Sequence, residues 1–554
     1  MSAVHSLWLL HDQTLLAASG GNTPSIPAPQ IEYGQLSPML VVFGTAVVGI
    51  LLEAFVPRRW RYRAQLAVAL LGLAGAFAAV VVLASEGYAT TKSGLLAMGS
   101  VALDGPALFL QGVIILAAAM SVLLYAERGL DPRVEGVPQD PFAPQASATP
   151  GGEQERQAAR AGFASTEVYP LTLFAVGGML LFPAANDLIT MFVALEVFSL
   201  PLYLLCALAR RRRLLSQESA VKYFLLGSFS SAFFLFGSAL LYGYAGTFRL
   251  PEIADVVSGT APATPALAVS TQNDALLLIG LAMLAVGLLF KVGAVPFHAW
   301  TPDVYQGAPT PVTGFMAAAT KVAAFGALLR IFYVAFPGLR WDWRPVMWGV
   351  AILTMVAGAV LAVTQQDVKR LLAYSSIAHA GFILTGVIAT NRQGLGAVLF
   401  YLLAYALVTL GAFAAVTLVR DSRGEATHLS SWAGLGRRSP LLAAVFALFL
   451  LSFAGIPLTA GFTGKFAVFQ AAAAGGATPL VIVGVLSSAV AAFFYIRVIV
   501  LMFFSDPQPN GPAVVIPSTA TATVISVAVA ATLVLGLAPQ YFLDLASKAA
   551  MFVR

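Results

Sequence analysis

The stretch NDLITMFVALEVFSLPLYLLCAL, residues 186–208, is a continuous apolar run after its first two residues, and it has one further carboxylate, Glu196, near its middle. A bilayer core about 30 Å thick needs about 20 consecutive apolar residues in a spanning helix. If the helix begins at Asp187, Glu196 lies about 13.5 Å along it at about 1.5 Å per residue, close to the centre of that core. The stretch therefore predicts a transmembrane helix with a titratable group at mid-depth.

Thirteen other stretches have the same continuous apolar character. With the first they cover residues 38–57, 65–84, 105–125, 169–185, 187–209, 220–243, 275–305, 312–334, 345–365, 371–390, 393–419, 440–472, 477–504 and 516–537. Continuous runs argue against a transmembrane β-barrel, whose strands alternate in polarity over about ten residues. We predict an all-α integral membrane protein with about 14 transmembrane helices.

The composition excludes several classes of protein. Hydrophobic residues make up 59% of the 554 residues and charged residues 10%, whereas soluble proteins carry about 25% charged residues. The single Cys206 and the scattered histidines exclude a disulfide scaffold and Cys-ligated zinc or iron–sulfur sites. Flavin, haem, catalytic-triad and nucleic-acid motifs are absent, so we expect no cofactor or metal in this chain and no nucleic-acid partner.

The basic residues predict the orientation in the membrane. Eighteen lie in one set of loops, at 58, 59, 61, 63, 128, 133, 156, 160, 210–213, 369, 370, 420, 423, 437 and 438, and seven lie in the opposite set. By the positive-inside rule the richer set is cytoplasmic, so both termini are expected outside. The Ala, Gly and Arg content favours a multi-pass protein of a bacterial cell membrane.

These features predict an organisation along the chain. The predicted units are an external tail 1–37, three helices in 38–125, a flexible cytoplasmic loop 126–168 rich in Pro, Gly and Gln, a five-helix unit 169–334, a second unit 345–504 and a last helix 516–537. We expect the 126–168 loop to contribute no residue to the functional site.

Ionisable residues inside the spans are the main functional candidates, because a charge at mid-bilayer costs several kcal/mol. Lys321 lies nine residues after Val312 and hence at a depth similar to that of Glu196. The alternative to a functional role is a buried structural ion pair.

Lys291 and Lys465 lie beside helix breakers. The motifs are LLFKVGAVPFHAW, with Gly293 and Pro296, and SFAGIPLTAGFTGKF, with Gly455 and Pro457. A broken helix frees backbone groups that can bind ions or water. Each five-helix unit is interrupted in its fourth span, and an odd number of spans inverts the second unit, which predicts two inverted five-helix repeats with two discontinuous helices.

Weaker candidates come from other polar residues. His298, in the break after Lys291, can relay protons. His379 lies on one face with Ser375 and either lines a hydrated path or bonds to neighbouring helices. Lys222 begins a helix and either takes part or extends to the membrane surface. Arg330 lies near a helix end, where we expect it to extend to the surface as well.

Lysine and glutamate at the midplane can transfer protons. Burial in a low-dielectric medium favours the neutral form of an amine, and a nearby carboxylate favours the charged form. Moving one group relative to the other would therefore drive proton uptake and release. A row of such groups predicts a proton-transfer chain without redox chemistry of its own.

Four motifs resemble the subunit N family of bacterial NADH-quinone oxidoreductase, respiratory complex I. They are VPFHAWTPDVYQGAPTPVTGFMAAATK (295–321), AGIPLTAGFTGKF (454–466), QQDVKRLLAYSSIAHAGF (365–382) and ESAVKYFLLGSFSSAFFLFG (218–237). The resemblance implies fourteen transmembrane helices with inverted repeats. It matches Glu196, Lys291, Lys321 and Lys465 with ionisable residues of the family's fifth, seventh, eighth and twelfth helices, and Lys222 with a lysine of the sixth.

The resemblance also implies a function and partners. The chain would be a proton-translocating membrane subunit, beside other antiporter-like membrane-arm subunits in the lipid bilayer. Electrons would pass from NADH to quinone in partner subunits that hold FMN and iron–sulfur clusters. Two alternatives remain: a subunit of a multi-subunit cation/proton antiporter, and a structural membrane spacer.

Overall fold

The computed structural model describes residues 29–128, 141–143, 152–154, 157, 165–260, 274–421, 424–508 and 511–554. Most of the predicted external tail 1–37 and most of the predicted loop 126–168 lie outside these residues. The boundaries predicted for the units along the chain stay predictions.

Helices account for nearly all of the regular structure. In chain order they are α1 (Ser37–Phe55), α2 (Arg58–Ser85), α3 (Gly105–Tyr125), α4 (Val168–Leu181), α5 (Leu188–Cys206), α6 (Arg213–Ala245), α7 (Leu250–Val257), α8 (Asp274–Val292), α9 (Trp300–Gly307), α10 (Thr310–Ala335), α11 (Arg340–Val363), α12 (Val368–Ile388), α13 (Arg392–Leu418), α14 (Pro440–Ala454), α15 (Ala460–Ala474), α16 (Thr478–Phe504), α17 (Thr519–Leu537) and α18 (Gln540–Ala549). A single helical turn, Leu435–Arg438, precedes α14.

The prediction of an all-α membrane protein is confirmed. Within the described ranges, twelve helices are long and apolar enough to cross a membrane, and two shorter apolar helices are Val168–Ala184 and Pro440–Ala454. The strands form two small antiparallel sheets. They are β1 (Gly94–Leu96) with β2 (Val101–Leu103), and β3 (Val419–Asp421) between β4 (Gly424–Glu425) and β5 (Ala513–Val514).

Short polar side chains set where several apolar helices begin. Asp104 caps α3 by accepting from the Ala107 amide at 3.0 Å, and Asp187 caps α5 by accepting from the Thr190 amide at 2.7 Å. Asp367 does the same for α12. Each cap satisfies backbone donors that have no partner within the helix, a matter of about 1 kcal/mol per cap.

The core of the molecule lies around α10, α12 and α13. The apolar window of α10 is entirely buried and those of α12 and α13 are 94% buried, whereas α1, α2 and α17 are 28% buried. An apolar helix that is buried on all sides is packed by protein, and one that is mostly exposed must be covered by lipid or another subunit. Polar groups on α10, α12 and α13 are therefore the ones most removed from the surroundings.

The helical path is interrupted at two places that carry functional candidates. Helix α8 ends at Val292, one residue after Lys291, and α9 begins at Trp300. Helix α14 ends at Ala454, and α15, which carries Lys465, begins at Ala460. Gly293 and Gly455 follow the two ends with φ of 73° and 84°, a left-handed conformation in which a side chain would be strained.

Part of the predicted flexible loop is attached to the helical body. Residue Phe142 forms a β-bridge with Ala209 and is 1% exposed, and its ring meets Tyr125 edge-on at 5.3 Å. The Ala143 amide donates to the Leu208 carbonyl at 2.9 Å. A stretch with these contacts is anchored at that point, which Pro and Gly content alone did not indicate.

Close helix packing generates the first prediction, at the contact between α6 and α8. A Cβ added to Gly237 would lie 2.5 Å from the Leu284 amide nitrogen and 2.7 Å from the Gly280 carbonyl oxygen. Gly237→Ala must therefore push the two helices apart, at a cost of about 1–3 kcal/mol. We expect a lower melting temperature of the purified complex.

Gly349→Ala is the matched control for this packing prediction. A Cβ at Gly349, inside α11, meets nothing within 4 Å, so alanine should leave the melting temperature unchanged or raise it slightly. Equal melting temperatures for the two variants would contradict the packing account.

Candidate functional site

Lys291 and Glu196 approach each other through a serine. The Lys291 ammonium donates to the Ser199 hydroxyl at 2.8 Å, and Ser199 lies three residues after Glu196 on the same face of α5. Lys291 is 3% exposed. One carboxylate oxygen of Glu196, Oε1, is buried without a hydrogen-bond partner. Among the described residues, Glu196 and Lys291 form no ion pair within 4 Å, so the two side chains are not a direct structural pair.

Aromatic faces complete the surroundings of Lys291. Its ammonium lies 5.3–5.7 Å from the ring centres of Phe198, Tyr203 and Tyr223. Cation–π attraction supports a charged lysine, although weakly compared with a carboxylate. Because an ammonium carries three donors and Ser199 takes one, the remaining donors can bind water.

Lys321 lies at an irregular point of the central helix α10. Residues Met316–Thr320, just before it, form a π-helical turn, an irregularity that often marks functional positions. The Lys321 ammonium donates to the Ser376 carbonyl of α12, and it lies 5.7 Å from the ring centre of Tyr405 on α13. Lys321 is 3% exposed, so this cation is held in the interior by one carbonyl and an aromatic ring.

His379 follows Ser376 by three residues on the same face of α12. Its Nδ1 lies 2.6 Å from the Tyr401 hydroxyl, and its Nε2 is buried without a partner. The imidazole ring is 5.3 Å from the ring of Tyr405 and 5.5 Å from that of Phe453, measured between centres. A histidine with one nitrogen bonded and the other unpartnered can accept a proton on one side and release it on the other.

Lys465 lies on α15, and its ammonium binds the end of α14. Its ammonium donates to the Phe453 carbonyl at 2.8 Å, the Ala454 carbonyl at 3.0 Å and the Ser488 hydroxyl at 2.8 Å. Carbonyls in the last turn of a helix have no partner within it and carry the negative end of its dipole. The end of α14 therefore supplies two acceptors and Ser488 of α16 supplies a third, one for each donor of this buried ammonium.

The structure thus brings three of the candidates together. Lys321 binds the Ser376 carbonyl of α12, and His379 lies one turn further along the same helix. Phe453 contacts His379 through its ring and Lys465 through its carbonyl. We call Lys321, His379 and Lys465 the proton row. A small cavity beside His379 is lined by Tyr401, Tyr405, Ser452, Phe453 and the glycines at 461 and 464. The lining surface of this cavity is mostly apolar and its volume is about 10 Å³, at the lower limit for one water molecule.

Lys222 and His298 lie away from this row. Lys222 is partly exposed and binds Asp303 and Glu218, each at 2.8 Å. His298, in the segment between α8 and α9, is partly buried with Nδ1 unpartnered. Neither contacts Lys291 directly, and both are more exposed than the buried Lys291, Lys321 and Lys465.

The prediction that Arg330 extends to the membrane surface is wrong. Instead of extending to the surface it is fully buried, and it donates to Asp104 at 2.8 Å and to the Pro183 carbonyl at 2.6 Å. The chain terminus covers the pair, because the Val553 amide donates to Asp104 and the Phe552 ring lies 4.8 Å from the guanidinium. The residues next to Arg330 in the sequence do not indicate these contacts, because Phe552 and Val553 are far from it along the chain.

A partly buried carboxylate outside the spans has a lowered pKa. Glu425, on β4, lies 3.8 Å from the Lys369 ammonium. Burial raises the pKa of Glu425, but Lys369, together with nearby arginines, lowers it by more, so that the pKa falls below its usual value. The residues that the structure describes contain no group of three or more His, Cys, Asp or Glu side chains that could hold a metal ion.

A protein-family model matches residues 185–491 of the chain. Its description is NADH:quinone oxidoreductase/Mrp antiporter, transmembrane region. The matched range contains every candidate discussed above, from Glu196 to Lys465.

Individual proteins and solved structures are also similar. The chain is 69% identical to NADH-quinone oxidoreductase subunit N 3 of Streptomyces griseus over 100% of both chains. It is 67% identical to subunit N of Rhodococcus opacus, over 96% of this chain and 98% of that one. A chain of respiratory complex I from Thermus thermophilus is 34% identical with a TM-score of 0.71, over 92% of this chain and 99% of that one. A chain of the Mrp complex from Dietzia shares the fold, with 23% identity and a TM-score of 0.74 over 93% and 97%.

The buried pair generates the second prediction. Arg330→Met leaves the Asp104 carboxylate buried without its counter-charge, which costs about 3–5 kcal/mol. We expect less assembled protein and a lower melting temperature, with partial recovery when Asp104→Asn is added. Arg437→Met is the control, because it breaks an ion pair whose side chains are 58% and 89% exposed and should cost at most about 1 kcal/mol. Equal losses from Arg330→Met and Arg437→Met would show that burial of the pair is unimportant.

Proposed function

Because the chain belongs to the subunit N family of NADH-quinone oxidoreductase, we propose that its buried ionisable side chains carry protons across the membrane. The proposed carriers are Glu196, Lys291, Lys321 and Lys465. Lys222, His298 and His379 have supporting roles in this proposal. The single observation that carries it is the succession of Lys321, His379 and Lys465 across α12.

The chain is the proton-translocating membrane subunit of an enzyme complex that oxidises NADH with quinone. Electron transfer takes place in other subunits, where the cofactors are expected. We propose FMN, iron–sulfur clusters and quinone as the carriers there, and neighbouring antiporter-like subunits as direct contacts in the membrane arm. This chain's own residues contribute proton binding and release at fixed positions.

The proposal includes an architecture. Twelve candidate spans and two shorter apolar helices make fourteen transmembrane helices, arranged as inverted repeats over residues 169–334 and 345–504. The segments from α8 to α9 and from α14 to α15 are the two discontinuous helices. The Arg-rich loops face the cytoplasm of a bacterial cell, and both termini lie outside.

The proposed chemistry depends on the small number of hydrogen-bond acceptors around Lys291 and Lys321. Lys465 has three acceptors, whereas Lys291 has Ser199 and Lys321 has the Ser376 carbonyl among the described residues. An ammonium with few acceptors in a low-dielectric site gives up its proton more readily. A change in the distance between Glu196 and Lys291 would therefore alter the affinity of Lys291 for a proton and start transfer along the row.

A cation/proton antiporter subunit is the alternative function, since the Mrp chain has the same fold. The full-length identity of 67–69% with subunit N proteins favours the oxidoreductase. A structural spacer is disfavoured because apolar residues in place of the buried Lys291, Lys321 and Lys465 would be more stable.

The third prediction separates a proton relay from a structural lysine. Lys291→Met keeps the apolar bulk and removes the titratable amine, so we expect assembled complex whose NADH-driven proton pumping and coupled quinone reduction fall sharply. Glu196→Gln should act in the same way. Lys291→Arg should also impair pumping, because a guanidinium stays protonated. The measurement is proton uptake by inverted vesicles after NADH addition, normalised to assembled complex.

A purely structural lysine gives a different pattern in this experiment. It would tolerate Arg much better than Met, because charge and hydrogen bonding would survive. Wild-type pumping by both Lys291→Met and Lys291→Arg would rule out a relay through Lys291.

A further inference from the structure

The conspicuous TPDVYQG motif contains a carboxylate, Asp303, that the proton row does not use. Asp303 lies on α9, immediately after the interruption that follows Lys291. Its Oδ2 accepts from the Lys222 ammonium of α6 at 2.8 Å, and its Oδ1 accepts from the Arg370 guanidinium of α12 at 2.7 Å. One carboxylate therefore joins a helix of the first half of the chain to a helix of the second half.

Additional hydrogen bonds reinforce the position of α9. The Ser219 hydroxyl of α6 donates to the Asp303 carbonyl at 2.9 Å. On the other side, Gln306 accepts from Arg370 at 3.2 Å and donates to Asp367 at 3.3 Å. Hydrogen bonds to charged groups are the stronger ones, and here they converge on a helix of eight residues, six of which are buried.

The other end of α9 is connected to Lys291. The Trp300 indole donates to the Phe290 carbonyl at 2.9 Å, and Phe290 directly precedes Lys291. The Trp300 ring also stacks on Tyr223 at 4.8 Å between centres, and Tyr223 faces the Lys291 ammonium at 5.6 Å. Trp300 thus contacts both the backbone and the aromatic surroundings of Lys291.

We propose that Asp303 is a positioning residue for Lys291. Its carboxylate clamps α9 between α6 and α12, and α9 fixes the end of α8 through Trp300. A shift of Asp303 toward either cation would move Trp300 and with it the Lys291 site. The proposal rests on the proton-transfer role proposed above for Lys291, because it assigns a support to that residue.

The test is a double-mutant cycle in the intact complex. Asp303→Asn removes the charge with little change of shape, and Trp300→Phe removes the indole donor but keeps an aromatic ring. Each variant should lower NADH-driven pumping about tenfold while the complex assembles normally. This is less than the roughly hundredfold loss of rate that a displacement of about 1 Å can cause. If both substitutions act through α9, the double variant should pump no less than the more impaired of the two single variants. The Michaelis constant for NADH should not change.

Matched variants make each outcome decisive. Asp303→Glu keeps the charge and should recover part of the pumping, and Asp506→Asn, which breaks an exposed pair with Arg437, should pump as wild type. The proposal is overturned if Asp303→Asn pumps normally while Lys291→Met does not, or if the losses from Asp303→Asn and Trp300→Phe multiply. Normal pumping by Lys291→Met would instead overturn the proposed function. If Asp303→Asn fails to assemble, Asp303→Glu replaces it in the cycle with Trp300→Phe.

Discussion

The cost of keeping an ammonium ion inside an apolar helix bundle governs the arrangement of this protein. Each buried lysine needs oxygen acceptors, and regular helices offer few because their carbonyls are already bonded. The chain meets this need by interrupting a helix beside Lys465, where the end of α14 supplies two free carbonyls. It supplies Lys291 and Lys321 with one oxygen each from a neighbouring helix. We propose that this difference in the number of acceptors gives the three lysines unequal affinities for a proton.

The buried pair of Arg330 and Asp104 shows the opposite solution to the same problem. Asp104 accepts from Arg330, from the Ala107 amide and from the Val553 amide, so its charge is fully compensated. A pair with this many bonds is costly to open, and it joins α3, α10 and the chain terminus. Arg330 lies nine residues after Lys321 on α10, which places the two side chains on opposite faces of the helix at 100° per residue. One face of α10 is therefore locked while the other holds a loosely bound lysine.

Much of this was predictable from sequence, for identifiable reasons. Continuous apolar runs indicate spanning helices because the bilayer sets their length, and Gly293 and Gly455 mark the two interruptions because a left-handed φ favours glycine. The buried depths of Glu196 and Lys321 follow from counting residues. The acceptors of the three buried lysines did not follow, since Ser199, Ser376 and Ser488 belong to other helices and serine is common. The anchoring of Phe142 and the covering of Arg330 by Phe552 also depend on contacts between residues far apart in the chain.

The central claim is the proposal that Lys291 passes protons to the row of Lys321, His379 and Lys465. Proton pumping per assembled complex, measured in vesicles for Lys291→Met, Lys465→Met and the double variant, tests it most directly. Removal of either end blocks the same path, so the double variant should pump no less than the more impaired single variant. Losses that multiply in the double variant would mean that the two lysines act on separate paths, and would contradict the account.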